Sequence, residues 1–401
     1  MGESMSSGSQ TPPSLPDKST PSPILTQPTD TERRHTWSLT HPLWGPALRQ
    51  EDYVNREAYL TTVPLAKDGG LSQWILTDPS LPPNERPILS ACETLRKRAI
   101  RARPDGFVED GIAHGIGAVF TDPQYRGRGY ANRMMRDLGP RLRSWQGESK
   151  RRNSNPDEVF FSVLYSDIGK SFYAKAGWAT YESSHFSFPP VAGGVSGISP
   201  SDEYAASKAR PIGYHELAEL CAVDEGLLRE RIARRAKEEE RVAVALLPDL
   251  DQLLWHLMRE DYMTKHIFGR TPTVRGAVYG EVGKRIWAVW TRAYYGGLEK
   301  PEGNTLHLLR VVVEDEGMDE KKIGEGFGEV VRIAQSEAEE WRLQEVHMWN
   351  PTGLLRRVVE GCGVEWTFVE RERESIASLM WYGEGEEKGV EWVANEKFGW
   401  C

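Results

Sequence analysis

Hydrophobic positions along the chain fall into stretches with a period near two and stretches with a period near 3.6, the repeats of strands and helices. Residues 1–23, MGESMSSGSQTPPSLPDKSTPSP, follow neither, carry hardly an apolar side chain and read as a disordered tail. From Ile24 a short "ILT" precedes "TDTERRHTWSLTHPLWG", where Thr31 is placed to cap a helix, and "LRQEDYVNREAYL", helical by spacing. "LSQWILTD" predicts a strand, "ILSACETLRKRAIRA" a longer run of strand character, and "HGIGAVFT" at 114–121 a short apolar strand. A helix over "YANRMMRDLGPRLRSWQ" leads through the polar loop "GESKRRNSNPDE" to the strand "VFFSVLY". A short helix "GKSFYAKAG" closed by Gly177 and two short strands in "WATYESSHFSFPP" follow.

The second half opens with helices, "YHELAELCAVDEGLLRERIARRAKEEER" and "LDQLLWHLMREDYMTKHIFG". It continues with strands "IWAVWTRAYY" and "TLHLLRVVVED", a long helix near 319–341, strand "EVHMW", helix "TGLLRRVVEG" and strand "SLMWYG". The order strand, strand, helix, strand, helix, strand repeats that of the first half, so two similar α/β units are expected. The Gly-, Ser- and Pro-rich stretch 189–201 marks the boundary. The expected division is a tail at 1–23, a first domain at 24–188, a linker at 189–209 and a second α/β domain at 210–401.

With 401 residues and 39% hydrophobic positions the chain has material for ordinary cores. Its net charge of −9 argues against a general nucleic-acid partner. Cys92, Cys221, Cys362 and Cys401 lie far apart, without the spacing of a zinc site or a disulfide framework, which fits a reducing compartment. No window has the apolar length of a membrane span and the first 30 residues lack a secretory core, so a cytoplasmic protein with no membrane or obligate protein partner is expected. "MGESMS" formally matches the M-G-x-x-x-[ST] lipidation pattern, but no basic cluster stands near it as a second anchor.

Candidate chemistry concentrates in "PQYRGRGYANRMM", between a predicted strand and a predicted helix. Such a turn offers free N–H groups at the positive end of a helix. Gly127 and Gly129 remove Cβ atoms, so a phosphate oxygen can reach the main chain, and Arg126 and Arg128 add charge. A diphosphate suits this turn. No Lys-Ser/Thr follows as in a P-loop, and no third glycine stands three positions on as in a dinucleotide-binding turn. The bland alternative is a tight turn with its arginines in solvent.

The Q-x-x-G-x-G pattern inside "VFTDPQYRGRGYANRMM" resembles the acetyl-CoA-binding motif of the GCN5-related N-acetyltransferases (GNATs). That resemblance implies an α/β fold with a mixed, splayed sheet flanked by helices, here followed by a second, degenerate unit of the same kind. It also implies acetyl-CoA as co-substrate, with no metal. The cofactor would be held by Val119, Phe120, Thr121, Gln124, Tyr125, Arg126, Gly127, Arg128, Gly129, Tyr130 and Ala131. A second family motif is matched by "SDIGKSFYAKAGW" at 166–178. There Ser166 replaces the usual Asn, leaving its cofactor contact in question, and Gly169 replaces the usual Ala. By the same resemblance Tyr173 would protonate the departing CoA thiolate; otherwise it is a half-buried aromatic.

Further segments, among them "LTHPLWGPALRQEDYVNREAYLTTVPLAKDGGLSQWILTD", "HIFGR" and "VEWVANEKFGWC", resemble the fungal L-lysine N6-acetyltransferases of lysine catabolism. The resemblance implies acetylation of the ε-amine of free L-lysine. Acetylation of a protein lysine or N-terminus, and non-catalytic binding of acetyl-CoA, are the alternatives. Stripping the ε-ammonium at pH 7 costs roughly 4.6 kcal/mol, so a base is needed, and Glu109 and His114 are candidates. An Arg and an acid must hold the amino-acid head. Tyr53, Arg56 and Glu57 offer one such set and Arg259, Glu260, His266 and Arg270 another, with solvated helix faces as the alternative. No cysteine adjoins the motifs, so direct attack in a ternary complex is expected.

In the second half, "EDEGMDEKKIGEGFGEV" repeats the glycine spacing with Gly324, Gly326 and Gly328, but Asp315, Glu316, Asp319, Glu320 and Glu325 would repel an anion. This half is expected to wall off the cleft, with Phe398, Trp400 and Cys401 docking against it or fraying.

Overall fold

The computed structural model describes residues 15–147, 158–190, 207–385 and 389–400. The chain starts with β1 (Ile24–Thr26), α1 (Asp30–Trp44) and α2 (Gln50–Leu60), then β2 (Leu71–Thr77), β3 (Ile88–Ala102) and β4 (Val108–Phe120). After α3 (Tyr130–Leu142) come β5 (Val159–Ser166), α4 (Ser171–Ala174), β6 (Ala179–Thr180) and β7 (Ser184–Phe188). Helix α1 is capped by Thr29 rather than Thr31. Glu32 N–H donates to Thr29 Oγ1 at 3.2 Å and Thr29 N–H donates to Glu32 Oε2 at 2.8 Å. Strand β3 sends Cys92 into the apolar cluster beneath α3 and Leu95 into the one beside α2. The intervening Glu93 therefore shares the α2-side face of the sheet with Leu95.

The second half contributes β8 (Arg210–Ile212), α5 (Tyr214–Glu238), β9 (Ala243–Leu246), α6 (Leu250–Phe268), β10 (Gly276–Tyr279), β11 (Ile286–Ala293) and β12 (Thr305–Val313). It continues with α7 (Glu320–Glu340), β13 (Glu345–Trp349), α8 (Gly353–Val359), β14 (Thr367–Glu370), β15 (Ile376–Trp381) and β16 (Glu391–Trp392). These strands form two mixed sheets flanked by helices. The first runs β1-β2-β3-β4-β5-β15-β6, with β9 paired to β3 and to β16; the second runs β14-β7-β13-β12-β11-β10-β8.

The two sheets exchange strands. β15 inserts beside β5, from Ile376 opposite Ser166 to Trp381 opposite Phe161, while β7 crosses to pair with both β13 and β14. Strands thus cross the boundary expected at 189–209 in both directions. Of that expected linker, 191–206 lies outside the described residues.

Two expectations are corrected. Residues 1–14, including the lipidation pattern, lie outside the described residues, but 15–23 are packed against α3 rather than loose. Tyr130 Oη donates to Pro16 O at 2.7 Å, and the Arg133 guanidinium donates to the carbonyls of Lys18, Thr20 and Pro23 at 2.8, 2.7 and 3.1 Å. Main-chain acceptors gathered by one arginine add to the packing of Leu15 against the α3 core in holding this otherwise polar segment.

The glycines of the second half form no turn. Gly324, Gly326 and Gly328 lie buried inside α7, where a Cβ at 328 would stand 2.0 Å from Cys362 O and one at 326 would meet Tyr279 and Ile286. They allow close packing of a helix on its neighbours.

Residues 397–400 are docked. Phe398 is fully buried, its carbonyl accepting from Gln252 Nε2 at 2.6 Å and bonded to His256 Nε2 at 3.0 Å. Just before it, Glu396 ion-pairs with Arg310, whose guanidinium also makes two 2.7 Å bonds to Asp224. All three are buried, so removing one partner strands the others' charge. Asp224→Ala should destabilise the protein by roughly 3–5 kcal/mol, read as a lower denaturation midpoint at unchanged slope.

Candidate active site

The site begins where two strands part. β4 and β5 pair in parallel from Ile112 opposite Val159 to Ile116 opposite Leu164, and no further. β4 nevertheless runs on to Phe120 and β5 to Ser166. On the other side of β4, Ala91 faces Phe120 and Glu93 faces Gly117, so β4 holds one residue more than β3 over that interval. Ala118 absorbs this bulge in a left-handed conformation, φ +51°, unusual for a residue with a Cβ. The bulge turns β4 away from β5 and leaves main-chain groups facing an open wedge.

The wedge leads to the glycine turn. Gly127 and Gly129 have φ of +76° and +80°, and Gly129 caps α3 without a side chain. A Cβ at Gly127 would meet nothing within 4 Å, so this glycine is required by the backbone conformation and leaves space over the turn. Among the described residues none accepts from the N–H groups of Gly127, Arg128 or Gly129. Asp122 shapes the approach by accepting from Gln124 N at 3.0 Å, and Arg126 Nε is tied to Thr121 O at 3.0 Å. This is an anion cradle at a helix N-terminus, opening onto the wedge.

From the turn a cavity of about 1270 Å³ passes between β4 and β5 and ends against the second sheet. Val119, Phe120, Thr121, Tyr125, Arg126, Gly127, Gly129, Tyr130 and Ala131, all candidates for holding a cofactor, line it. Tyr173 lines it too, from α4; burial, aided by Cys92 and Asp167, holds its phenol well above the usual tyrosine range and therefore protonated. Gln124 and Arg128 are not on its wall, the amide of Gln124 being bonded to Asp122. Ser166 is turned away. Its hydroxyl donates to Gly169 O at 2.7 Å and accepts from Ile168 N at 3.2 Å, closing the loop that follows β5 in place of contacting a ligand.

Neither base candidate faces the cavity. Glu109 sits at the far end of β4, accepting from Arg101 at 3.0 Å and from Arg103 at 2.9 Å; these partners hold its carboxyl below the usual range. His114 is fully buried on the α3 side, with Nε2 bonded to Trp145 O at 2.9 Å and its pKa pushed down to about 4 by burial. The wall carries a different group, Glu93 of β3, opposite Gly117. Trp37 Nε1 and Gln73 Nε2 donate to Glu93 Oε1 at 3.0 and 2.5 Å, and no described cation pairs with it. Burial, reinforced by Glu57, raises its pKa above the carboxylate range. Only strand alternation hinted at it: Glu93 shares parity with Leu95 and Lys97 in a run whose next strand precedes the glycine turn.

Tyr53, Arg56 and Glu57 do come together on the cavity wall. Arg56 stacks over Tyr53 at 4.6 Å and its Nε donates to Glu57 Oε1 at 2.8 Å, while Tyr53 Oη bonds Thr40 Oγ1 at 3.0 Å. Of the second set only Arg259 reaches the cavity fully. Glu260 is locked beneath α6 by Arg275 and Arg292 at 2.7 and 2.6 Å, His266 stacks on Tyr262, and Arg270 pairs with Glu340 at 2.8 Å. Trp400 lines the same cavity, so the docked 397–400 segment reaches the site; Cys401 lies outside the described residues.

Comparison with known proteins identifies a family and two relatives. A family model described as the LYC1 GNAT-like C-terminal domain matches residues 196–401. A Yarrowia lipolytica protein named lysine acetyltransferase is 27% identical over 288 residues, 66% of this chain and 70% of that protein. An uncharacterized Saccharomyces cerevisiae protein is 22% identical over 347 residues, 79% of this chain and 81% of its own. Among solved structures, a probable N-acyltransferase from Enterococcus faecalis aligns over 89% of this chain and 72% of its own, with 13% identity and a TM-score of 0.49.

The buried His114 gives a pH signature. Its folded pKa lies below the unfolded value, so the neutral ring's contribution to stability is complete above about pH 6.5 and is lost as pH falls toward about 4. Within that window His114→Gln should reduce the slope of stability against pH by up to about 1.4 kcal/mol per pH unit, measured by denaturation at several pH values.

Proposed function

We propose, for a chain that belongs to the LYC1 GNAT-like family of N-acetyltransferases, that it moves the acetyl group of acetyl-CoA to the ε-amine of free L-lysine. The observation that carries this reading is one cavity holding the glycine cradle, the wedge between β4 and β5, Tyr173 and the unpaired carboxylate of Glu93. The residues fit the cofactor. The Gly127–Gly129 main chain and α3 would hold the diphosphate, and the unpaired edges beyond Ile116 and Leu164 would receive the amides of the pantetheine arm. The name of the Yarrowia relative supports lysine as acceptor, and the enclosing second sheet favours a small molecule over a polypeptide.

In this reading Glu93 accepts a proton from the substrate ammonium, which frees the nitrogen lone pair to attack the thioester carbon. As the C–N bond forms and the C–S bond breaks, Tyr173 gives its proton to the leaving sulfur, the second proton lost by the acylated nitrogen restores the Tyr173 phenol, and the proton on Glu93 passes to solvent. A raised carboxylate pKa suits this work, since it brings the base closer to the ammonium it must deprotonate.

The test is to incubate the protein with acetyl-CoA and either free L-lysine or a lysine-containing peptide, following thiol release. Release with free lysine and none with peptide is expected; the reverse, or no release with either, overturns the reading. Glu93→Gln should lower kcat roughly 10²–10⁴-fold, and Tyr173→Phe should lower it on the order of 10²-fold while cofactor affinity persists. Because Glu93 must be ionised to act, kcat/KM should fall as pH drops through a value above the ordinary carboxylate range, and Glu93→Gln should lack that limb.

A further inference from the structure

Where the cavity meets the second sheet it carries a cation that the protein does not neutralise. Arg259 projects from α6 onto the wall, its guanidinium 5.5 Å from the Trp400 ring, and Tyr295 lines the same cavity. The acids within reach already serve other arginines, Glu57 through Oε1 alone. Glu57 takes Arg56, and Glu260 takes Arg275 and Arg292. Among the described residues no carboxylate pairs with Arg259, while Arg56 nearby adds a like charge; burial and that repulsion both lower its pKa. A half-buried guanidinium with no carboxylate partner is a receptor for an anion.

The same cavity holds the opposite imbalance. Glu93 forms no ion pair with a described residue, and Glu57, on the same cavity wall, acts on both Glu93 and Arg259. Glu57 gives Oε1 to Arg56, whereas Oε2 accepts from no described residue. One cation, the unengaged oxygen of Glu57 and the Glu93 carboxylate thus line one cavity. A free diamino acid presents the complementary series: carboxylate, ammonium and a second ammonium at the end of a flexible stem.

We propose that Arg259, together with Tyr295, binds the α-carboxylate of the amino-acid substrate and that Glu57 Oε2 binds its α-ammonium, which leaves the side-chain amine directed at Glu93. This assignment rests on the lysine reading above and specifies the substrate as a free α-amino acid with its carboxylate intact. A bidentate guanidinium contact to a carboxylate contributes discrimination that an apolar pocket cannot, because an analogue without the carboxylate leaves the arginine half-buried and unpaired.

The experiment compares kcat/KM of the full chain, with saturating acetyl-CoA, for L-lysine, L-lysinamide and 1,5-diaminopentane. The wild type should prefer lysine over both analogues on the order of 10²-fold. In Arg259→Gln that preference should collapse toward unity, chiefly through a higher KM for lysine, and Arg259→Lys should restore part of it. If the wild type acetylates lysine without discriminating against the analogues, or if Arg259→Gln keeps the preference, the assignment is overturned while the lysine reading stands. If the wild type acetylates none of the three, both fall. Should Arg259→Gln fail to fold, Arg259→Lys decides: a preference for lysine undiminished from the wild type overturns the assignment, and a reduced one supports it.

Discussion

The loss of pairing between β4 and β5 beyond Ile116 is the constraint on which the site depends. A continuous parallel pair would satisfy its own main chain and leave nothing for a ligand to bind. The bulge at Ala118 prevents this by inserting one residue against β3, at the cost of a left-handed conformation for a residue with a Cβ. The consequence is a wedge whose mouth is the Gly127–Gly129 cradle and whose flank carries Tyr173. Glu93 faces Gly117 at the start of the same bulge, so the distortion that opens the wedge also fixes the carboxylate beside it. Backbone geometry, cofactor access and the candidate base are therefore one feature.

A wedge alone would open to solvent, and the strand exchange closes it. With β15 built into the first sheet and β7 into the second, the two units cannot separate without breaking ladders in both. The Arg310 ion pairs add a further tie by fixing the segment that ends at Trp400 against β12. Such rigidity has electrostatic value. Charges held partly out of water interact more strongly with one another, so the enclosure sets the half-buried Glu93 and Arg259 apart from fully exposed residues of the same kind.

How much of this was legible in the sequence follows from how local each feature is. Strands β3 to β5, the glycine turn and Tyr173 depend on short windows, where period, φ preference and spacing speak directly. The tail at 15–23 was misread because composition counts apolar contacts and misses an arginine collecting three carbonyls. Gly324, Gly326 and Gly328 mimic the cradle in spacing, yet the neighbours that require glycine there, Cys362 and Tyr279, come from distant segments. The family motif placed a contact at Ser166, where the hydroxyl instead ties its own loop. Glu93 was missed for a related reason: a Glu amid a mixed run announces nothing until β3 has a partner, a register and a face.

The exchange of β7 and β15 is the least legible element, because strand order in sequence carries no mark of which sheet a strand joins. Its effect on function is nonetheless large. Arg259 comes from α6 and Tyr295 follows β11, both in the second half, while Glu57 and Glu93 belong to the first. A site whose opposite charges come from two halves is assembled only when those halves are locked together. Each charge alone would be a liability in its own unit, costing stability without a partner. The interlocked sheets hold both charges on one cavity wall, the arrangement that the proposed amino-acid site requires.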